Sequence, residues 1–319
     1  MKAAVVGYGV IGKRHVRILN EMGILGAVCD VKKDSMQNLD NVELYDDYIQ
    51  MLDEACPDSV HICTPHYLHA DMIVEALSRD INVLCEKPLC IRKDDIPRIL
   101  DAEKKSKAIL GVCHQNRYNA ANVYVKEYIK DKEVQGGNGQ VSWCRDEKYY
   151  ASAEWRGKWN TEGGGVLINQ ALHTLDLLQW FCGMPDSLSA SISTLVLKDA
   201  IEVEDTAAIC AKGRAGFNFY ASNGSSIDMP VEVTLRVSGK IVKIMPKYVV
   251  IDNEIITFDD IKKVNDSKSC YGLGHYPLIE DFYSCIREGR HFPIDGYEGA
   301  KVVKLILAAY ESGEKSITV

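Results

Sequence analysis

No uninterrupted apolar stretch in this 319-residue chain is long enough to span a bilayer. Positive charge is also short: 37 Lys and Arg stand against 45 Asp and Glu, a net charge of −8. That balance removes the electrostatic basis for binding nucleic acid or an anionic membrane. The 11 cysteines contain no CxxC pair and are odd in number, which excludes the usual disulfide framework and structural zinc ribbon. Many sit inside apolar strand patterns, where a thiol acts as a small hydrophobe, so a reducing cytoplasm is expected. The apolar start has no small-residue cleavage site behind it, and no signal peptide is expected. Internal repeats and low-complexity tracts are missing as well.

The composition is that of a globular protein, at 46% hydrophobic and 26% charged. The length exceeds one ordinary core and implies two domains. Over residues 1–117, short apolar strands (Lys2–Val6, Gly26–Cys29, Ser59–Ile62, Asn82–Cys85, Ile109–Val112) alternate with helical patterns. This grammar predicts an α/β domain with a doubly wound parallel sheet. From 118 to 319 the pattern changes. A long helix is read in GGGVLINQALHTLDLLQWFCG, several strands from Ser187 to Ile256, and two closing helices. The expectation there is an α+β domain with an open, mainly antiparallel sheet.

The opening MKAAVVGYGVIGKRHVRIL places Gly7, Gly9 and Gly12 between a strand and a helix, with Val10 and Ile11 at the helix start. Glycine weakens both element types, so three of them need a reason. A tight turn that brings bare backbone to a pyrophosphate at a helix N-terminus supplies one. Asp30 ends the second strand, 18 residues past Gly12, where a carboxylate holds the ribose hydroxyls of a dinucleotide. A carboxylate repels a 2′-phosphate, so NAD is favoured over NADP, although Lys32 and Lys33 lie close by.

Three further segments fall at the carboxyl ends of first-domain strands, where ligands bind in open α/β sheets. In HICTPHYLHA, Cys63, His66 and His69 suggest a metal, but no further ligands complete a set, and none is expected. In CEKPL, Pro88 stops the strand and aims Glu86 and Lys87 into the crevice. In GVCHQNRYN, Gln115, Asn116 and Arg117 crowd polar groups at the domain boundary. Farther on, Asn169, His173 and Asp176 are spaced i, i+4 and i+7, within roughly 60° of arc on one helical face. A polar stripe on so apolar a helix is costly unless it lines a wet cleft. Gly163–Gly165 before it would let the loop approach a ligand closely.

The order GYGVIG, TPHYLHA, CEKPL, GGGVLINQALHTLD resembles the glucose–fructose oxidoreductase/inositol dehydrogenase/rhizopine-catabolism family of nicotinamide-dependent sugar oxidoreductases, over nearly the whole chain. The resemblance implies a cofactor domain joined to an open-faced sheet domain that associates through its sheet, as a homodimer or homotetramer. By position, Lys87 corresponds to the family's catalytic lysine and His173 to its catalytic histidine. Thr64, Pro65, His69 and Glu86 match cofactor-lining positions, and Trp155-Arg156 resemble a pair reaching the nicotinamide side. Where inositol dehydrogenases carry Asp one turn before the histidine, this chain has Asn169, a form similar to members acting on nucleotide-linked or amino sugars.

These readings converge on reversible hydride transfer between NAD and a secondary alcohol of a sugar, nucleotide sugar or inositol. His173 or Lys87 serves as base, and Asn169 orients the imidazole or a substrate hydroxyl. Arg117, Asn169, His173 and Asp176 are expected to meet substrate. Two rivals stand beside this reading: a glycosidase using NAD without net redox, and a non-catalytic NAD-dependent sensor or scaffold.

Overall fold

The computed structural model describes every residue except positions 37, 38, 40 and 259–273. Its contacts divide the chain into two compact units, Met1–Cys113 with Leu278–Ala300, and His114–Pro277 with Lys301–Val319. The sequence division at 117 therefore differs at two places. The strand-to-loop step comes four residues earlier, and a segment near the end of the chain packs in the first unit.

In the first unit, β1 (Ala3–Val6), β2 (Leu25–Cys29), β3 (Glu43–Tyr45), β4 (Ser59–Ile62), β5 (Asn82–Glu86) and β6 (Leu110–Cys113) form one sheet. The order is β3-β2-β1-β4-β5-β6 and every pairing is parallel. Such strands are covered on both faces, which is why β1, β4 and β6 are buried at every residue. Helix α1 (Val10–Glu21) buries Gly12, His15, Val16, Ile18 and Leu19 as one stripe. Helix α2 (Tyr48–Ala55) starts where the Asp47 side chain accepts from the Gln50 amide at 2.8 Å. Helices α3 (His69–Leu77) and α4 (Asp95–Lys105) complete the alternation. The strand order reverses between β1 and β4, so the crevice beyond their carboxyl ends is where such a sheet takes its ligand. No described helix is long and apolar enough to cross a membrane.

The second unit opens with α5 (Ala120–Tyr128), β7 (Val134–Ser142), α6 (Glu147–Ala151) and α7 (Leu172–Cys182). Strands β8 (Ser187–Ser193), β9 (Thr206–Lys212), β10 (Phe217–Ser222), β11 (Glu232–Val237), β12 (Lys240–Met245), β13 (Tyr248–Ile251) and β14 (Glu254–Thr257) follow. After α8 (His275–Glu288) and α9 (Gly296–Ser312), β15 (Ile317–Thr318) closes the chain. The nine-stranded sheet runs β14-β13-β12-β11-β7-β10-β9-β8-β15, and only the β7–β10 pairing is parallel. Burial alternates strictly along β9, the sign of one packed and one open face.

Strand β7 was not expected from VQGGNGQVS, because glycine weakens a strand. Its glycines have a packing reason. A Cβ at Gly137 would lie 2.9 Å from Cys182 Sγ, and one at Gly139 would lie 2.8 Å from Leu178. Helix α7, which carries His173, lies directly on these two bare positions. Replacing Gly139 by Val should therefore lift α7 from the sheet and destabilise the protein by about 1–3 kcal/mol, measured by chemical denaturation.

Candidate active site

In the first unit the three glycines of the opening turn divide into two kinds. Gly7 has φ +90° and donates its amide to Cys29 O at 2.8 Å. A Cβ there would come within 2.6 Å of Cys63 O, and one at Gly12 would fall onto the carbonyl oxygen of Gly7. Gly7 and Gly12 thus let α1 pack tightly against β1 and the β4 loop, and Gly12 itself is buried. Gly9 has nothing within 4 Å of a Cβ position and caps α1 without any side-chain hydrogen bond. The first amides of α1 thus have no side-chain cap, and such a helix start can take an anion. Val10 beside it is 73% exposed, while Ile11 is half-buried.

Asp30 stands half-buried just past β2, with Oδ2 accepting from the Tyr8 amide at 2.6 Å and Oδ1 from the Lys32 amide at 2.8 Å. The carboxylate is fixed against the glycine turn, and each oxygen keeps a further lone pair for a hydroxyl donor. Turn and carboxylate together fit a dinucleotide, its pyrophosphate at Gly9 and its ribose at Asp30.

Past β4 and β5, Thr64, Pro65 and Lys87 are half-buried, whereas His69 and Glu86 are buried. The His69 ring lies between two carbonyls, with Nδ1 2.7 Å from Pro88 O and Nε2 2.9 Å from Thr64 O. Burial lowers its pKa. A ring so enclosed joins the loop of Thr64 and Pro65 to that of Lys87. His69 was expected to line the cofactor, and its geometry is that of a brace beneath the lining. Glu86 differs in the same way, since its Oε2 accepts from the backbone amide of Lys87 at 3.3 Å.

In the second unit the expected long helix begins only at Leu172, and 163–171 form turns. The three glycines there explain the difference. Gly163 and Gly164 take φ +87° and +146°. A Cβ at Gly164 would overlap the Tyr310 hydroxyl, and one at Gly165 the carbonyl oxygen of Glu204. The close approach read from the sequence is made to this chain's own atoms. The Glu204 carboxylate completes it, accepting from the amides of Gly165 (2.8 Å) and Leu167 (3.0 Å) and from the Tyr310 hydroxyl (3.0 Å). Burial pushes Glu204 up to about 7 against those donors. Gly164→Ala should strain the backbone and displace Tyr310 at once, costing about 2 kcal/mol or more, visible as a lower Tm.

Asn169 precedes α7, and its Nδ2 donates to Glu162 Oε1. Glu162 is fully buried and also accepts from the Gly157 amide. His173 is nearly buried, its Nε2 3.4 Å from the Gln115 amide nitrogen, which makes Nε2 the acceptor in the neutral ring. Arg117 and Asp176, both expected to meet substrate, instead meet each other. Arg117 Nε and Nη2 reach Asp176 Oδ2 and Oδ1 at 2.8 and 2.7 Å, both side chains being buried. Gln179 donates to Asp176 Oδ1 at 3.0 Å. Burial alone would raise the Asp176 pKa, but Arg117, His114 and these hydrogen bonds outweigh it and hold the carboxyl well below its usual range. Trp155 and Arg156 lie in a turn, where the Arg156 guanidinium covers the Tyr149 and Trp155 rings at 4.5 and 4.6 Å and donates to the Tyr149 hydroxyl.

Comparison with known proteins gives this geometry its context. Residues 1–114 match the oxidoreductase family with an NAD-binding Rossmann fold, and residues 125–241 match the GFO/IDH/MocA C-terminal domain. The chain belongs to the GFO/IDH/MocA family. Inositol 2-dehydrogenase of Salmonella typhimurium is 30% identical over 189 residues, 56% of this chain and 54% of that protein. The match thus spans about half the length of these curated relatives. The solved WlbA dehydrogenase of Chromobacterium violaceum, in complex with NADH and UDP-GlcNAcA, is 27% identical with a TM-score of 0.87, covering 100% of this chain and 96% of that one. Levoglucosan dehydrogenase in complex with NADH and levoglucosan has a TM-score of 0.87 at 18% identity, covering 100% of this chain and 99% of that one, and shares the fold.

Within this GFO/IDH/MocA chain the first unit is an NAD-binding Rossmann domain. Sequence reasoning missed Glu162 and Glu204, the carboxylates that hold Asn169 and the glycine loop. A lone glutamate in a loop carries no motif, and only its burial reveals its task.

Proposed function

We propose that this protein is an NAD-dependent dehydrogenase of a sugar, with nucleotide-linked sugars the first class to test. The observation that carries the reading is the uncapped start of α1 at Gly9 beside the fixed Asp30 carboxylate. The hydrogen-bonded pairs Gln115–His173 and Asn169–Glu162 support it from the second unit. The nucleotide-sugar preference rests on Asn169 in the INQALH pattern and on the likeness to the WlbA dehydrogenase.

When bound, NAD supplies the hydride acceptor for the carbinol carbon. The protein's work is to hold the alcohol and take its proton. His173, with Nε2 unprotonated in the neutral ring, accepts that proton as general base, with Lys87 as the other candidate for that role. Asn169, oriented by Glu162, holds a substrate hydroxyl. Arg117 and Asp176 act as a buried strut for α7, and Trp155-Arg156 serve the nicotinamide side. The open face of the nine-stranded sheet, with Tyr220 and Ile241 half-exposed, joins subunits into a homodimer or homotetramer. A monomeric mass by light scattering at micromolar concentration would contradict that assembly.

The test is a panel of nucleotide sugars, free sugars and inositols with NAD and NADP, followed at the NADH absorbance. Calorimetry should show NAD binding more tightly than NADP, and Asp30→Ser should narrow the difference. A wild-type preference for NADP would overturn the cofactor assignment.

A further inference from the structure

Beneath the crevice of the first unit lies a line of buried polar side chains that the proposed chemistry does not use. His15 of α1 places Nε2 3.0 Å from Glu86 Oε1 and Nδ1 2.7 Å from Nδ1 of His61, on β4. His61 Nε2 lies 2.9 Å from the hydroxyl of Tyr283, which lies 2.8 Å from Ser59 Oγ. His15, His61 and Ser59 are fully buried, Tyr283 likewise, and Glu86 nearly so. The Tyr283 ring stacks on His61 with centroids 5.8 Å apart. Ser59 and Tyr283, neighbours in this line, are 224 residues apart in sequence.

Donor counting gives this line a direction. The Glu86 carboxylate accepts from the Lys87 amide at 3.3 Å, and burial together with the neighbouring Glu86 charge raises the Cys113 pKa and keeps it a thiol. A hydrogen bond donated to a carboxylate favours its ionised form. An ionised Glu86 requires His15 Nε2 to carry its hydrogen. With His15 protonated at Nε2 alone, Nδ1 accepts, so His61 donates from Nδ1 and accepts at Nε2 from the tyrosine hydroxyl, which accepts from Ser59. Burial lowers the pKa of His61 strongly and favours its neutral ring.

We infer that Ser59, Tyr283, His61 and His15 form a one-way buried hydrogen-bond relay that ends on Glu86 and positions Lys87 through its backbone. Its consequence for turnover rests on the proposed role of Lys87, but its geometry does not. His15, His61 and Tyr283 are positioning residues, each acting through the next. Loss of the Tyr283 hydroxyl leaves His61 Nε2 without its donor and frees both rings to change tautomer.

The test is ¹⁵N NMR of the imidazole nitrogens in the histidine-labelled full chain at neutral pH. The expected result is His15 protonated at Nε2 alone and His61 at Nδ1 alone, the less common tautomer in solution. In Tyr283→Phe, His61 should populate both tautomers. With the substrate that the sugar panel selects, kcat of this variant should fall about three- to tenfold at unchanged KM for NAD. His61 protonated at Nε2 in the wild type would overturn the relay, and unchanged kcat would overturn its positioning role. If no sugar is oxidised, the dehydrogenase reading fails while the tautomers still decide the relay.

Discussion

Lys87→Ala and His173→Ala should each lower turnover by roughly two orders of magnitude or more, because the proposed mechanism gives each a part in moving the alcohol proton in the transition state. For His173→Ala the affinity for NAD should stay near normal, since that residue lies in the second unit and the dinucleotide cradle in the first. Groups that serve one proton transfer are not additive. The double variant should be far less impaired than the product of the single effects. Steady-state kinetics with calorimetric NAD binding reads both quantities. Full activity of His173→Ala on every substrate would remove it as the base and leave Lys87.

The second large effect is on stability. Arg117→Met would leave the buried Asp176 carboxylate without its guanidinium partner, and breaking a buried pair from one side costs about 3–5 kcal/mol. Thermal and denaturant unfolding should show that loss at neutral pH. Because the folded state holds Asp176 below the ordinary carboxylate range, its contribution is complete at neutral pH. It declines as pH falls below about 4, where the unfolded carboxyl takes up its proton first. The variant should therefore lose most of this acid-dependent part of its stability profile. An Arg117→Met protein as stable as the wild type would mean that the pair contributes nothing to holding α7.

Most of the first unit was legible because parallel strands, buried on both faces, spell continuous apolar runs. The exception was β3, whose three residues Glu43–Tyr45 are at most half-buried at the sheet edge. In the second unit, β7 was hidden because its glycines serve α7 rather than the strand. The early start assigned to α7 came from an apolar run, VLIN, that is buried in turns held by Glu204. The candidate site could be read as a pattern where a motif repeats a physical need, as in the glycine turn, Asp30 and the residues beside Pro88. Asp176 was misjudged because a polar stripe on an apolar helix has two explanations, a wet cleft or a buried partner. Only the structure showed Arg117 as that partner. The relay through His15, His61 and Tyr283 was invisible, since its members share no spacing in sequence and meet only when α1, β4, β5 and α8 pack.

The central claim is net hydride transfer to NAD, and it is tested most directly by counting. With the substrate selected from the panel, free NADH and oxidised sugar should appear in equal amounts, and neither should appear with His173→Ala beyond a trace. Product formed without any change in free NADH would contradict the account and point to the glycosidase chemistry instead.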